Sequence, residues 1–257
     1  MTAASPTLRP VPALFAFQLR RVTRSWQYLF FTVLLPALFT VFFTQVFAGQ
    51  AGGGAEYQGY ARASMVAMMC YGGLGAALGA TIRLSFDRAS GWLRQLRVLP
   101  VPGREVVAVD TAVGMVLVLP SLVVVALVGR FVNDVQLPLG SWVALLGALW
   151  AGSAAFVALG MLLGLALETQ AAGAAIGILS VVLAALGGLW VPVDLFPAGL
   201  AVAARALPSY WYAELGQGVV GATGTLLPAA VLAGFAVLFA VAALVVGTRR
   251  PLHAVAG

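Results

Sequence analysis

The sequence predicts an all-α membrane protein with six transmembrane helices. Composition is the first reason: 62% of the 257 residues are apolar and only 9% are charged, whereas soluble domains hold about half apolar and a quarter charged residues. The second reason is that the apolar residues form six stretches of roughly the 20 residues that an α-helix needs to cross the hydrocarbon core. An ordinary cytosolic enzyme, a disordered chain and a collagen-like fibre are thereby excluded.

Residues 13–25 predict an amphipathic helix that lies in the membrane interface ahead of the first span. Its apolar face is formed by Phe15, Leu19, Val22 and Trp26. Arginines point in other directions, which is typical of an interfacial helix with basic residues toward the lipid headgroups. The alternative interpretation is a polybasic stop before a membrane span.

The six apolar stretches give the predicted spans, at residues 27–48, 60–84, 106–129, 141–167, 171–191 and 226–247. Pro120 and Pro228 fall inside the third and sixth of them. A proline is tolerated in a span where neighbouring groups satisfy the carbonyl that it leaves without a donor. Asp110 is the one acid well inside an apolar stretch. It is either a functional group or, as we prefer, a structural carboxylate that reaches the cytoplasmic interface.

The arginines indicate the orientation of the chain. With six spans, eleven arginines fall on the side of the two termini, and only Arg62, Arg130 and Arg205 fall on the other side. Because basic residues concentrate on the cytoplasmic side of membrane proteins, both termini are predicted to be cytoplasmic. The protein is then a multi-pass protein of the cell (inner or plasma) membrane. The net charge of +6 reflects this topology rather than binding of nucleic acid.

The connection between the second and third spans is too long to be a plain turn. Residues 86–100 predict a short helix with Asp87 in its first turn, where a carboxylate interacts favourably with the helix dipole. Pro100 ends it. Its apolar face consists of Trp92, Leu93, Leu96 and Leu99. The membrane or a partner protein must cover such a ridge.

The same segment resembles the signature loop of type-2 ABC exporter permeases of the drug- and antibiotic-resistance kind. The matching residues are Asp87, Arg88, Gly91, Leu93, Leu96, Pro100 and Arg104. The resemblance implies that residues 86–100 are a coupling helix that docks in a groove on an ATP-binding subunit. The sequence departs from the family pattern at Ala89, which replaces a second acidic residue, and at Trp92, where threonine is usual. The alternative is an ordinary interfacial helix between two spans.

The resemblance also assigns roles within the coupling helix. Trp92, Leu93 and Leu96 would form the docking ridge. Asp87, Arg88 and Arg104 would orient this ridge on the partner. The whole chain, residues 1–257, would then be a single transmembrane permease domain.

The segment between the fifth and sixth spans contains two apolar patches interrupted by prolines, and neither patch is long enough to span. Residues 192–218 therefore predict an external re-entrant hairpin or helices at the outer interface. The family resemblance extends to Pro192 and to Pro208, and it implies re-entrant helices that cover the translocation path. Three adjacent aromatic residues, Tyr210, Trp211 and Tyr212, are typical of an aromatic interface belt. A membrane anchor without a role in transport is the equal alternative for these three.

Missing residue types restrict the chemistry. The chain has no lysine, one histidine (His253) and one cysteine (Cys70). It therefore cannot provide a standard phosphate-loop motif, a Schiff-base lysine or a zinc site. We expect no catalytic residue, no metal site and no cofactor in this chain. On the family resemblance, ATP and Mg²⁺ belong to a separate ATPase subunit.

These observations predict the permease subunit of an ATP-driven ABC exporter. It would work with an ABC ATP-binding subunit, a second permease copy or a related permease, and membrane lipid. The shortage of charge in the spans suits a hydrophobic or amphipathic substrate, such as a drug or a lipid, whereas the export direction comes from the resemblance alone. The alternative is a stand-alone secondary transporter or channel, which the same shortage of intramembrane ionisable groups disfavours.

Overall fold

The computed structural model describes residues 10–47, 54–81, 85 and 103–249. Within these residues all regular secondary structure is helical, and six helices are long and apolar enough to cross a membrane. The predicted all-α class and the number of spans are confirmed. The predicted coupling segment, residues 86–100, lies outside the described residues.

The chain begins with an N-terminal helix, Pro10–Thr23. We number the membrane-spanning helices span 1 to span 6; they cover Trp26–Phe47, Gly54–Thr81, Gly103–Phe131, Leu139–Ala166, Thr169–Leu186 and Leu226–Arg249. Span 4 is interrupted at Ser153, between its two helices. Between spans 5 and 6 lie a 3₁₀ turn, Val193–Leu195, and two further helices. We call these the first interspan helix, Ala198–Arg205, and the second interspan helix, Pro208–Val220.

Span 5 ends at Leu186 rather than at residue 191, as the hydropathy alone predicted. Gly188 adopts a φ of 81°, and the N–H of Leu189 donates to the carbonyl of Ala184 at 3.0 Å. This is the hydrogen-bond pattern of a helix terminated by a glycine in the left-handed region. The apolar residues that follow the glycine pair therefore leave the helix and turn toward the interspan helices.

Span 1 contains a π-helical turn, Phe30–Leu34, that ends two residues before Pro36. Proline has no N–H, so Pro36 cannot donate to the carbonyl of Thr32 one turn earlier. Ser121 of span 3 supplies the missing donor, since its hydroxyl donates to the Thr32 carbonyl at 2.6 Å. The proline in span 1 is thus compensated by a side chain from a neighbouring span, as an apolar environment requires.

Span 2 is the central helix of the bundle. In its most apolar stretch 67% of the residues are buried inside the chain, against 22% for span 5 and 11% for span 6. It packs against spans 1, 3 and 4 and against the second interspan helix. Met65, Met68 and Met69 of this span are buried in the core. Spans 5 and 6 present most of their apolar surface outward.

The N-terminal helix packs against span 3. Leu14 and Val22 are buried beside Val109 and Val113, with Phe15 and Leu19 partly buried next to them. The predicted apolar face is therefore used, with one exception. Trp26 is 70% exposed, because the helix ends at Thr23 and the break before span 1 changes the direction of the following side chains. The position of this helix relative to the membrane interface stays a prediction.

We expect Ser121→Ala to destabilise the bundle, because the Thr32 carbonyl would lose its donor in a buried environment. The expected loss in the free energy of unfolding is about 1–3 kcal/mol, the usual cost of an unsatisfied buried polar group. Denaturant unfolding of the purified chain in detergent measures it. Thr111→Ala is the matched control, since the Thr111 hydroxyl only donates to Val107 of its own helix. Equal losses in the two variants would contradict the compensation of Pro36.

Candidate functional site

Tyr212 attaches the second interspan helix to the centre of the bundle. Its side chain is completely buried, its hydroxyl donates to the carbonyl of Leu149 in span 4 at 2.8 Å, and its ring lies 5.2 Å from that of Phe156. The thiol of Cys70 in span 2 donates to the main-chain carbonyl of Tyr212 at 3.5 Å. The sequence alone suggested that Tyr212 belongs to an aromatic belt at the membrane interface. Its burial in the bundle shows that it does not. Burial holds the pKa of its hydroxyl well above the ordinary value, so the group remains a donor.

Two glycines allow this close approach. A Cβ atom at Gly73 of span 2 would lie 2.7 Å from the Tyr212 hydroxyl, and one at Gly152 of span 4 would lie 3.0 Å from its ring. A side chain at Gly73 would force the tyrosine hydroxyl to move, and one at Gly152 would displace the ring by a few tenths of an ångström, so both glycines favour this close packing. The tyrosine is consequently held between two spans at fixed positions.

The other aromatic residues of the triplet are only partly buried. The Trp211 Nε1–H donates to the carbonyl of Arg205 at 2.8 Å, which joins the two interspan helices. The ring of Tyr210 meets that of Trp211 edge-on at 5.3 Å. Pro208 is buried at the first position of the helix, where its missing N–H costs nothing. Farther along, the amide of Gln217 donates to the Ala63 carbonyl of span 2 at 3.0 Å.

A cavity of about 240 Å³ lies between the second interspan helix, span 2 and the turn after span 5. Two predicted site residues, Pro192 and Tyr210, line it together. Trp211 and Pro208 do not. The other lining side chains and main-chain atoms come from Phe43, Tyr60, Ala63, Ser64, Ala67, Met68, Gly187–Trp190, Val193, Asp194, Ala213, Glu214 and Gln217.

The cavity carries negative charge. Asp194 and Glu214 are its charged lining residues. Partial burial raises the pKa of the Glu214 carboxyl, and the negative charge of Asp194 raises it further, whereas Arg205 lowers it. Glu214 therefore ionises at a higher pH than an isolated glutamate does.

These carboxylates were missed by the sequence analysis. They are 20 positions apart in a chain whose acidic residues are scattered. A usable signal did exist on one helix, because Tyr210, Glu214 and Gln217 follow the i, i+4, i+7 spacing of a single helix face. Nothing in the sequence, however, placed Tyr60 or Trp190 opposite that face.

At the other end of the bundle, span 2 leads toward the predicted coupling segment. The hydroxyl of Thr169, the first residue of span 5, donates to the main-chain carbonyl of Ser85 at 2.9 Å. The chain therefore enters the coupling segment beside the start of span 5. Arg104 lies in the first turn of span 3. The remaining predicted docking residues fall outside the described part of the chain, namely Asp87, Arg88, Gly91, Trp92, Leu93, Leu96 and Pro100.

An apolar groove of about 600 Å³ runs between spans 3, 4 and 6. Among the described residues that line it, Thr111 and Thr248 alone carry side-chain hydroxyls, and both donate to carbonyls of their own helices. The groove thus offers apolar contact without free hydrogen-bond donors. Asp110 is half-buried in span 3 and lines neither this groove nor the cavity. Among the residues that the structure describes, no group of three metal-ligating side chains occurs.

A family model described as "ABC-2 type transporter" matches residues 10–220 of this chain, from the N-terminal helix to the end of the second interspan helix. The chain belongs to the ABC-2 type transporter family. This confirms the resemblance to type-2 ABC permeases. The permease is also 27% identical, over 197 residues, to a protein of Bacillus subtilis (strain 168) named "Putative transport permease YvfS". The match covers 76% of this chain and 79% of that protein.

The coupling of the two carboxylates can be measured directly. We expect Asp194→Asn to lower the pKa of Glu214 relative to the unchanged protein, because it removes a neighbouring negative charge. Arg205→Gln should raise the pKa of Glu214 above that of the unchanged protein, because it removes a neighbouring positive charge. The chain has only four glutamates, so NMR of ¹³C-carboxyl-labelled glutamate can follow each one, with Glu214→Gln identifying the signal. An unchanged Glu214 titration in Asp194→Asn would show that the two groups do not interact.

Proposed function

We propose that this ABC-2 permease is the membrane subunit of an ATP-driven exporter that moves a hydrophobic or amphipathic molecule out of the cytoplasm. Membership in the family is the observation that carries the transport role. The positive-inside distribution of arginine supports cytoplasmic termini. The coupling segment and the apolar groove would then lie toward the cytoplasm, and the interspan helices and their cavity toward the outside, where they would form the re-entrant segment.

The energy source in this proposal is a separate ATP-binding subunit. The chain has no lysine with which to build a standard phosphate loop, whose lysine holds the phosphates of ATP. ATP and Mg²⁺ would bind the partner, and the coupling helix at residues 86–100 would dock on it. Trp92, Leu93 and Leu96 would form the apolar contact.

The contacts around Ser85 suggest how docking could move the bundle. The coupling segment follows span 2, the most buried helix, and Ser85, the residue directly before the segment, accepts a hydrogen bond from Thr169 at the start of span 5. A displacement of the segment therefore acts on spans 2 and 5 together. Span 2 contacts the second interspan helix at its far end, through Ala63 and Gln217. A rigid-body shift of span 2 would consequently be transmitted to the cavity.

The substrate class follows from the surfaces that the permease offers. The groove between spans 3, 4 and 6 is almost entirely apolar, so it suits the hydrocarbon part of a substrate rather than an ion or a sugar. The outward faces of spans 5 and 6 are also apolar and little buried within one chain. We propose that a second permease, identical or related, covers part of them and that lipid covers the remainder.

Docking is tested with a pair of double variants. Leu93→Asp with Leu96→Asp places two charges on the ridge, and we expect it to weaken association with the ATPase subunit by roughly tenfold or more, as for hot-spot residues of an interface. The measurement is co-purification from the native host's membranes, with phosphate-loop peptides quantified by mass spectrometry. Gln95→Asp with Val98→Asp is the control, because it adds the same charges off the ridge. Undiminished association of the ridge variant would overturn the docking proposal.

A second prediction follows from the proposal that the partner subunit, and not the permease, hydrolyses ATP. The purified permease alone should not hydrolyse ATP, whereas the co-purified complex should hydrolyse it in the presence of Mg²⁺. The measurement is phosphate release from both preparations, with vanadate as the inhibitor control. ATP hydrolysis by the permease alone, or substrate transport that follows an ion gradient instead of ATP, would favour the stand-alone transporter.

A further inference from the structure

The cavity beside the second interspan helix combines aromatic rings with negative charge. Four rings line it, those of Phe43, Tyr60, Trp190 and Tyr210. Its charged lining residues, Asp194 and Glu214, are both acidic, although the chain as a whole carries a net charge of +6. No arginine among the described residues lines it. The local charge is thus opposite in sign to that of the protein.

Each of the four rings is held by another ring that does not line the cavity. Phe47 lies 5.9 Å from Phe43 and 6.3 Å from Tyr60. Tyr71 meets Trp190 at 5.6 Å, and Trp211 meets Tyr210 at 5.3 Å. Rings fixed in this way lose little conformational freedom when a ligand binds, so the cavity is preorganised.

The two carboxylates are available to a ligand. Both side chains are exposed at the edge of the cavity. Within the described part of the chain neither accepts a hydrogen bond or forms an ion pair, and Arg205, which acts on Glu214 electrostatically, is not a lining residue. The 3₁₀ turn Val193–Leu195 holds Asp194, and the second interspan helix holds Glu214. The carboxylates thus come from two separate elements that meet at this point.

Aromatic faces with adjacent carboxylates are the surroundings that stabilise an organic ammonium ion, through cation–π attraction and ion pairing. An anionic ligand would be repelled, and an uncharged one would gain nothing from the carboxylates. We propose that this cavity binds the ammonium group of an organic cation. At about 240 Å³ it accommodates a head group, with the attached apolar portion lying along Ala67 and Met68 of span 2. The proposal rests on the proposed transport function in one respect, which is that the ammonium group is taken to be the head group of the transported substrate.

Binding is measured on the full-length chain in a nonionic detergent by isothermal titration with benzyltrimethylammonium. Benzyl alcohol and benzenesulfonate are the controls for the uncharged and the anionic aromatic compound. We expect saturable binding of the cation, at least roughly tenfold tighter than binding of either control, as ion pairing added to cation–π attraction predicts. Binding should weaken with added salt. Equal binding of benzenesulfonate, or no binding of the cation, would overturn the proposal.

Variants assign the binding to these side chains. Asp194→Asn with Glu214→Gln should weaken binding of benzyltrimethylammonium by roughly tenfold. Glu56→Gln, an exposed glutamate in the first turn of span 2 that does not line the cavity, should leave it unchanged. Tyr60→Leu should weaken binding, and Tyr60→Phe should retain it, because the ring face alone is required. Thermal unfolding verifies that each variant is folded. An equal effect of Glu56→Gln would overturn the assignment.

The ammonium group could belong to a soluble compound or to a lipid. Repeating the titration in nonionic detergent with added short-chain phosphatidylcholine, against the same amount of an uncharged diacylglycerol, distinguishes these sources, since only the choline headgroup would compete with the probe and neither additive has a net charge that would concentrate it. Weaker apparent binding with phosphatidylcholine supports a lipid ligand, and equal binding supports a soluble one. None of these measurements involves the ATPase subunit. Failure of the cation site therefore leaves the docking proposal intact, and the converse also holds.

Discussion

The helices of this permease are joined by side-chain donors that reach backbone carbonyls of neighbouring helices. Ser121 donates to Thr32, Trp150 to Met115 and Tyr212 to Leu149, each at 2.6–2.9 Å. Further bonds of this type run from Tyr28 to Ala76, from Cys70 to Tyr212 and from Gln217 to Ala63, and Asn133, just after span 3, donates to Thr40. In an apolar surrounding a polar side chain must find a partner. A main-chain carbonyl provides one at a defined height and rotation of the helix, so each bond fixes how two helices pack.

This mode of packing explains the central place of span 2. It contains only one arginine and one glutamate in 28 residues, and its buried face consists of small and flexible apolar residues. It accepts hydrogen bonds near both ends, from Gln217 and from Tyr28. The helix therefore connects the end that carries the interspan helices with the end that leads to the coupling segment. A change at one end has a continuous rigid element through which to act on the other.

The two ends of the bundle differ in chemistry. One has a cavity with carboxylates and aromatic rings, whereas the groove toward the other end is almost purely apolar. For an amphiphile, these two surfaces match the two parts of the molecule. The difference also explains why inspection of the spans alone indicated a hydrophobic or amphipathic substrate but no site for a charged head group. The charged residues of the cavity belong to the connection between spans 5 and 6, and the spans contribute to it mainly rings and small side chains.

The sequence by itself determined the membrane class, the six spans and the presence of short helices outside them. Hydropathy and periodicity are properties of one continuous segment. They could therefore be recognised without knowing how the segments pack against one another. Local chemistry also shifted boundaries: two adjacent glycines ended span 5 at Leu186, and Trp26 lost its place on the N-terminal helix face when that helix ended at Thr23.

Only the tertiary structure decided which residues meet. Three adjacent aromatic residues looked alike in sequence, yet Tyr212 is buried between spans 2 and 4 while Tyr210 lines a cavity. The cavity brings Tyr60 together with Asp194 and Glu214, more than 130 positions away. Such contacts depend on the rotation and crossing of each helix against its neighbours. Packing and cross-helix hydrogen bonds determine the rotation and the crossing angle of each helix. Neither can be derived from the sequence of a single segment.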